Sequence, residues 1–245
     1  MKLKAILQLV FPLLLSFAAA ACSLPRAEQA EPAKAAAPRS FNYLPPERFA
    51  ALPFQPPPEA ASEGQAADLA AVLAWQEKRT RADCERAAAA SSLSFDSFWG
   101  AESPFGPAQE GEVKEFFGLV ASDLGKAVTA VKDRWRRPRP YEAYPGLVNP
   151  CIGRSSGPSY PSGHAAFARV FALVLADIAP EKKGAFFAKA GEIAESRVIS
   201  GVHYPTDVAA GVSFGEIYHA ELLKSGDYLT GIERMKALRA CGSAP

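Results

Sequence analysis

From Val113 to Trp135, apolar residues return at every third or fourth position: Val113, Phe117, Val120, Leu124, Val128, Val131 and Trp135. That spacing predicts one stripe along a helix of about six turns. Residues 165–178 are apolar nearly all round (Ala165, Phe167, Val170, Phe171, Leu173, Val174, Leu175), as expected of a helix at the centre of a bundle. Ser62 followed by Gln65 is a capping-box pattern, which predicts a helix through Leu69, Val72, Leu73 and Ala82 to about Ala90. Pro180 starts another, running to about Val198, and Thr206 reads as the N-cap of one continuing to Leu223. A last amphipathic helix covers roughly 226–240. No segment alternates with period two and no Asn-Gly pair marks a hairpin. The predicted class is all-α, a helical bundle.

The N-terminus follows a different pattern. Lys2 and Lys4 precede a mostly apolar run from Ala5 to Ala21, which is short for a membrane span and ends in small residues, as a signal peptide does. Cys22 after Ala19, Ala20 and Ala21 is similar to a bacterial lipoprotein cleavage box, although the usual Leu three residues earlier is missing. Both readings stay open: a chain tethered to the outer membrane through a lipidated Cys22, or ordinary cleavage after an Ala. Either places the protein in the periplasm or outside the cell. Residues 23–60 hold nine of the 21 prolines and read as a linker or an extended arm with little capacity to bury a core. The helical domain is then 61–245.

Composition narrows the function. With 49% hydrophobic and 22% charged residues, the chain suits one globular domain. Lys plus Arg number 27 against 26 Asp plus Glu, so no overall basic field draws nucleic acid, and anion chemistry must come from a local cluster. Cys84, Cys151 and Cys241 belong to the folded part. In an oxidising compartment they predict one disulfide, Cys84 with Cys151, and one odd thiol, because Cys241 sits near a frayed chain end. Three unpaired cysteines are the alternative.

Polar residues gather where helices begin or end. The run from Lys132 to Pro140 closes the long stripe, and Pro138 and Pro140 force an extended segment there. Alone, it reads equally as a solvated face. Ser159 to His164 precede the apolar helix, where the N–H groups of Ser162, Gly163 and His164 and the helix dipole favour an anion. An ordinary Gly-containing helix start is the rival reading. His203 and Asp207 lie four apart at another helix start. The carboxylate can reach back to the imidazole, fix its tautomer and leave the other nitrogen to attack. A capping or core histidine is the alternative. Arg136 and Arg137 read as surface charges or an extension of a substrate mouth, Tyr160 as a buried aromatic or a pocket-lining ring, and His219 as structural or exposed. Gly211 and Gly215 predict close helix packing.

Together, Lys132-x6-Arg139-Pro140, Pro161-Ser162-Gly163-His164 and Ser196-Arg197-x5-His203-x3-Asp207 resemble the signature of the phosphatidic acid phosphatase type 2 superfamily. Its soluble branch comprises the class A bacterial non-specific acid phosphatases, and vanadium haloperoxidases share the fold and site. The resemblance runs from about Tyr43, where Tyr43-Leu44-Pro45-Pro46 is similar to the arm of those phosphatases, to about Leu223. It implies the all-α bundle of the acid phosphatase and vanadium haloperoxidase type. It implies an exported, metal-independent acid phosphatase acting on small phosphomonoesters through a phosphohistidine, blocked by vanadate and needing no cofactor. His203 would be the nucleophile, Asp207 its orienting group and His164 the general acid and later base. Lys132, Arg139, Arg197, Ser162 and Gly163 would hold the phosphoryl oxygens. It also implies a homodimer as one oligomeric state. Two alternatives use the same site, a vanadium-dependent haloperoxidase and a lipid-phosphate phosphatase, and a third is a phosphate-binding lipoprotein without turnover.

Overall fold

The computed structural model describes residues 41–45, 47–50, 54–92, 94–99 and 103–242. The leader read over 1–22, with Cys22, and the first part of the arm lie outside them. The helices are α1 (Glu47–Ala50), α2 (Glu63–Lys78), α3 (Arg81–Ala89), α4 (Phe95–Trp99), α5 (Glu110–Trp135), α6 (Pro140–Ala143), α7 (Gly163–Ile178), α8 (Lys183–Ile199), α9 (Pro205–Leu222) and α10 (Gly226–Gly242). No strand occurs among the described residues. The fold is all-α, as the periodicity predicts.

The long stripe forms α5, 26 residues that bury Val113, Phe117, Val120, Leu124, Val128 and Val131. It stops where Arg136 turns into the left-handed region at φ 45° and Pro138 follows. The helix that is apolar all round is α7, which packs against α5, α8, α9 and α10. Its contact with α9 is unusually close. A Cβ built on Gly211 would lie 2.9 Å from the Ala165 Cβ and directly against the Ser162 carbonyl, and one on Gly215 would lie 2.9 Å from the Arg169 Cβ. Only glycine lets the two backbones approach this far, so these two positions set the separation of α7 from α9.

Two helix expectations need correction. The helix predicted over 62–90 is two helices, because Arg79 is extended and Thr80 caps α3 in a box with Asp83. Thr80 and Asp83 repeat the spacing of Ser62 and Gln65, a restart signal inside a continuing apolar pattern. Thr206 is not an N-cap: it lies in the first turn of α9, whose cap is Tyr204. The arm, in its described part, belongs to the body. Leu44 and Phe49 are buried, and the Phe49 ring meets Phe214 and Tyr218 at centroid separations of 5.7 and 5.0 Å. The N–H groups of Asn42, Tyr43 and Leu44 donate to the buried Asp123 carboxylate, which anchors this segment to α5.

Cys84 and Cys151 form the expected disulfide. The odd thiol does not exist: Cys241 is disulfide-bonded as well, on α10, which stays helical to Gly242 rather than fraying. Tyr160 is buried against Phe54, as expected. His219 proves structural, paired at 2.7 Å with Asp177 and buried.

Candidate active site

The three polar segments lie far apart in sequence, and the fold brings them together at one end of the bundle. The end of α5 carries Lys132, the extended turn after it carries Arg137 and Arg139, the start of α7 carries Ser162, Gly163 and His164, the end of α8 carries Arg197, and the α8–α9 turn carries His203. The Ser162 N–H donates to the Asp207 carbonyl at 2.8 Å, so the starts of α7 and α9 are directly bonded. The Ser162 side chain accepts the Ala165 N–H as N-cap of α7. The first N–H groups of that helix have no acceptor within it.

His203 is 2% exposed and Asp207 is fully buried. The His203 Nδ1 lies 3.3 Å from the Asp207 Oδ2 and 3.2 Å from the Ser159 Oγ. A carboxylate can only accept, so Nδ1 carries the proton and Nε2 the lone pair. That lone pair faces the Arg139 Nη1 at 3.2 Å. Ser159 donates to the same carboxylate oxygen at 2.5 Å, and the Tyr204 N–H does so at 2.9 Å. Every atom that sets the orientation of the imidazole is thus itself held.

His164 donates from Nε2 to the Ser91 carbonyl at 3.0 Å, just beyond the end of α3. Burial, with Arg197 nearby, pushes its pKa down to about 4. Burial outweighs the Asp207 hydrogen bond and pushes His203 down to about 3. For Asp207 itself, burial favours the neutral form, but His203, Arg137 and Ser159 together hold it below the usual carboxylate range. Both histidines are therefore neutral at pH 7 while the carboxylate is charged.

Arg139 and Arg197 are 5% and 1% exposed, and Lys132 is partly buried. Their partners are neutral oxygens. Lys132 donates to the Pro158 carbonyl, Arg139 to the Gly157 and Val202 carbonyls, and Arg197 to the Ala87 carbonyl and the Ser196 hydroxyl. Among the described residues none of these cations forms a side-chain ion pair. Burial, then the neighbouring Arg139, pushes Lys132 down to about 7, and burial pushes Arg197 down to about 10. Buried cations without a carboxylate cost stability unless an anion arrives.

Arg137 departs from its expected place. It is 5% exposed, neither on the surface nor at a mouth. Its Nη1 donates to the Asp207 Oδ1 at 2.6 Å and its Nη2 to the Asp68 Oδ2 at 2.6 Å. Its guanidinium lies 4.0 Å over the Tyr204 ring. Asp68 and Gln65, also bonded to Arg137, come from α2. The sequence reading missed them. The available signal was a pair of polar residues, Gln65 and Asp68, on the same helix face as the buried Val72. Arg136 is exposed, as one of its two readings has it. Among the described residues no group of three or more His, Cys, Asp or Glu side chains is placed to hold a metal ion.

Residues 114–229 match the sequence model of the PAP2 superfamily. The match covers 116 of the 245 residues, so over this span the chain is similar to the PAP2 superfamily. The matched span contains every residue of the three motifs, from Lys132 to Asp207. The chain is also 33% identical over 134 residues to the non-specific acid phosphatase of Providencia stuartii, covering 52% of each protein. It is 36% identical over 102 residues to the lipid A 1-phosphatase of Rhizobium johnstonii, covering 41% of this chain and 39% of that one. Over 64 residues it is 42% identical to the non-specific acid phosphatase of Salmonella typhimurium, covering 26% of each. The chain thus spans about half, or less, of the length of the curated relatives it matches.

Proposed function

We propose that this protein is an exported acid phosphatase that hydrolyses phosphoric monoesters through a phosphohistidine, with no metal. The observation that carries the reading is a set of cations, the buried Arg139 and Arg197 and the partly buried Lys132, held by neutral carbonyls around the lone pair of a neutral histidine. Such a pocket is completed by a polyanion, and phosphoryl transfer asks mainly for positioning and charge neutralisation. The names of the relatives agree on phosphate ester chemistry.

In this mechanism the phosphoryl oxygens replace the carbonyl partners of Lys132, Arg139 and Arg197, and the N–H groups at Gly163 and the Ser162 hydroxyl complete the cradle. The His203 Nε2 attacks phosphorus while the bond to the ester oxygen breaks. His164, protonated once the anion is bound, gives its proton to that oxygen, so the alcohol leaves neutral. His164 then takes a proton from water, the water oxygen attacks phosphorus, the N–P bond breaks and phosphate departs. Asp207 stabilises the charge that builds on the His203 ring. Both Lys132 and His164 are charged more fully at low pH, which gives the acidic preference a physical cause.

The test is hydrolysis of p-nitrophenyl phosphate by the full chain between about pH 4 and about pH 8, with and without EDTA and vanadate. The reading predicts turnover that survives the chelator, is blocked by vanadate and falls above neutrality. Loss in EDTA restored by a divalent metal overturns the metal-free mechanism. Absence of turnover at every pH overturns the acid phosphatase.

A further inference from the structure

The site just described begins at Lys132, yet the carboxylate that orients its nucleophile is held from a helix outside the matched span. Asp68 on α2 is 3% exposed and accepts on both oxygens. Its Oδ1 takes the Thr206 N–H at 3.1 Å, and its Oδ2 takes the Thr206 hydroxyl and the Arg137 guanidinium. The Thr206 Oγ1 in turn accepts from the Arg137 Nη1 at 2.8 Å. Asp68 therefore grips two things at once: the first turn of α9, on which Asp207 stands, and the guanidinium that binds Asp207.

Charge arithmetic explains why this matters. Arg137 sits between two buried carboxylates, Asp68 and Asp207. Shared this way, its charge neutralises neither fully, and Asp207 keeps enough negative character to accept the His203 Nδ1–H. Bound to Arg137 alone, Asp207 would become the weaker acceptor and the imidazole the poorer nucleophile. A purely structural pair would not need to end on the oxygen opposite the one that faces His203.

We infer that Asp68 is a positioning residue for catalysis, acting through Arg137 and Thr206 to set both the place and the basicity of the Asp207 carboxylate. The inference rests on the histidine mechanism proposed above. Asp68 touches no reacting atom. It also gives α2 a task in the reaction, although α2 lies outside the family's matched region.

Asp68→Asn keeps the shape and the acceptor for the Thr206 N–H while removing the charge, and Thr206→Val is a near-isosteric loss of the bridging hydroxyl. In full-length chains with p-nitrophenyl phosphate, Asp68→Asn is expected to lower kcat roughly ten-fold, as loss of an outer partner of a functional histidine commonly does, with KM within about two-fold. The double variant is expected to fall no further than the worse single one, because both act through one linkage. Proton NMR supplies a readout free of turnover. The downfield His203 N–H signal, assigned by its loss in His203→Ala, should move upfield in Asp68→Asn. Normal kcat in a folded Asp68→Asn protein, a rise in KM alone, or multiplicative effects in the double variant overturns the inference. If the wild type has no turnover but the signal moves, the positioning stands and the phosphatase falls. If the signal stays in place, the positioning falls whatever the activity.

Discussion

Arg137 and Arg139 are two residues apart, equally buried and opposite in circumstance. Arg137 lies between Asp68 and Asp207, and its charge is answered inside the protein. Among the described residues, the Arg139 side chain hydrogen-bonds the Gly157 and Val202 carbonyls and faces the lone pair of His203. Burial is therefore not what separates a cation answered inside the protein from one left facing neutral atoms. The separating feature is whether a carboxylate waits beside it, since a buried cation facing neutral oxygens costs the apoprotein stability that a bound anion can return.

The largest effect should come at the lone pair that Arg139 faces. His203→Ala is expected to reduce hydrolysis on the order of 10³-fold or more, while calorimetry still detects phosphate on the remaining cations. Loss of binding together with loss of turnover would mean the imidazole itself supports the pocket.

Next come the two arginines. Arg137→Met leaves two buried carboxylates facing each other and should cost about 3–5 kcal/mol in urea unfolding. Arg139→Met removes an unpaired buried charge and should leave the apoprotein as stable or more so, yet lower kcat/KM roughly 100-fold. Equal destabilisation by the two would dissolve the distinction between them.

The pH behaviour sharpens the same contrast. Lys132, pushed down to about 7, should lose its charge as pH rises through neutrality, so kcat/KM falls there, and Lys132→Met should abolish that limb. Stability runs the other way for the histidines. The unfolded chain takes up their protons near pH 6.5, the folded His164 and His203 only near 4 and 3. Stability is thus fullest above pH 6.5 and falls toward pH 4, by up to about 1.4 kcal/mol per pH unit for each. Inorganic phosphate should raise the Tm more at pH 5 than at pH 8, because its charge lets these groups protonate in place.

The smallest of these effects tests the scaffold. Gly211→Ala sets a methyl group against the Ser162 carbonyl and Ala165, and should cost about 1–3 kcal/mol in thermal unfolding. A neutral result would show that α7 and α9 can part without harm.

The bundle was largely legible in the periodicity. The stripe of α5 and the all-round apolar α7 are strong signals because packing on those faces decides their fold. The break at Arg79 was not, since alanines and other good helix formers lie on both sides of it and a single Thr-x-x-Asp spacing carries the stop. Among the candidate residues, the sequence motifs predict one place for His203, Asp207, His164 and the cations, and the structure sets His203 3.3 Å from Asp207 and 3.2 Å from Arg139. Arg137 and Asp68 escaped because nothing in a run of arginines says which one turns inward. That is decided by the left-handed turn at Arg136 and by an aspartate 69 residues away. The second disulfide escaped for a similar reason, as the order of a chain end depends on what it packs against.

The central claim is that His203 carries the phosphoryl group. The direct measurement is to mix the full chain with p-nitrophenyl phosphate, quench in alkaline denaturant, where phosphohistidine survives, and map the phosphate by peptide mass spectrometry. The account predicts phosphate on the peptide containing His203 in the wild type, and none in His203→Ala. Rapid turnover with an unmodified His203 peptide at every quench time, or phosphate trapped on another side chain, would contradict it.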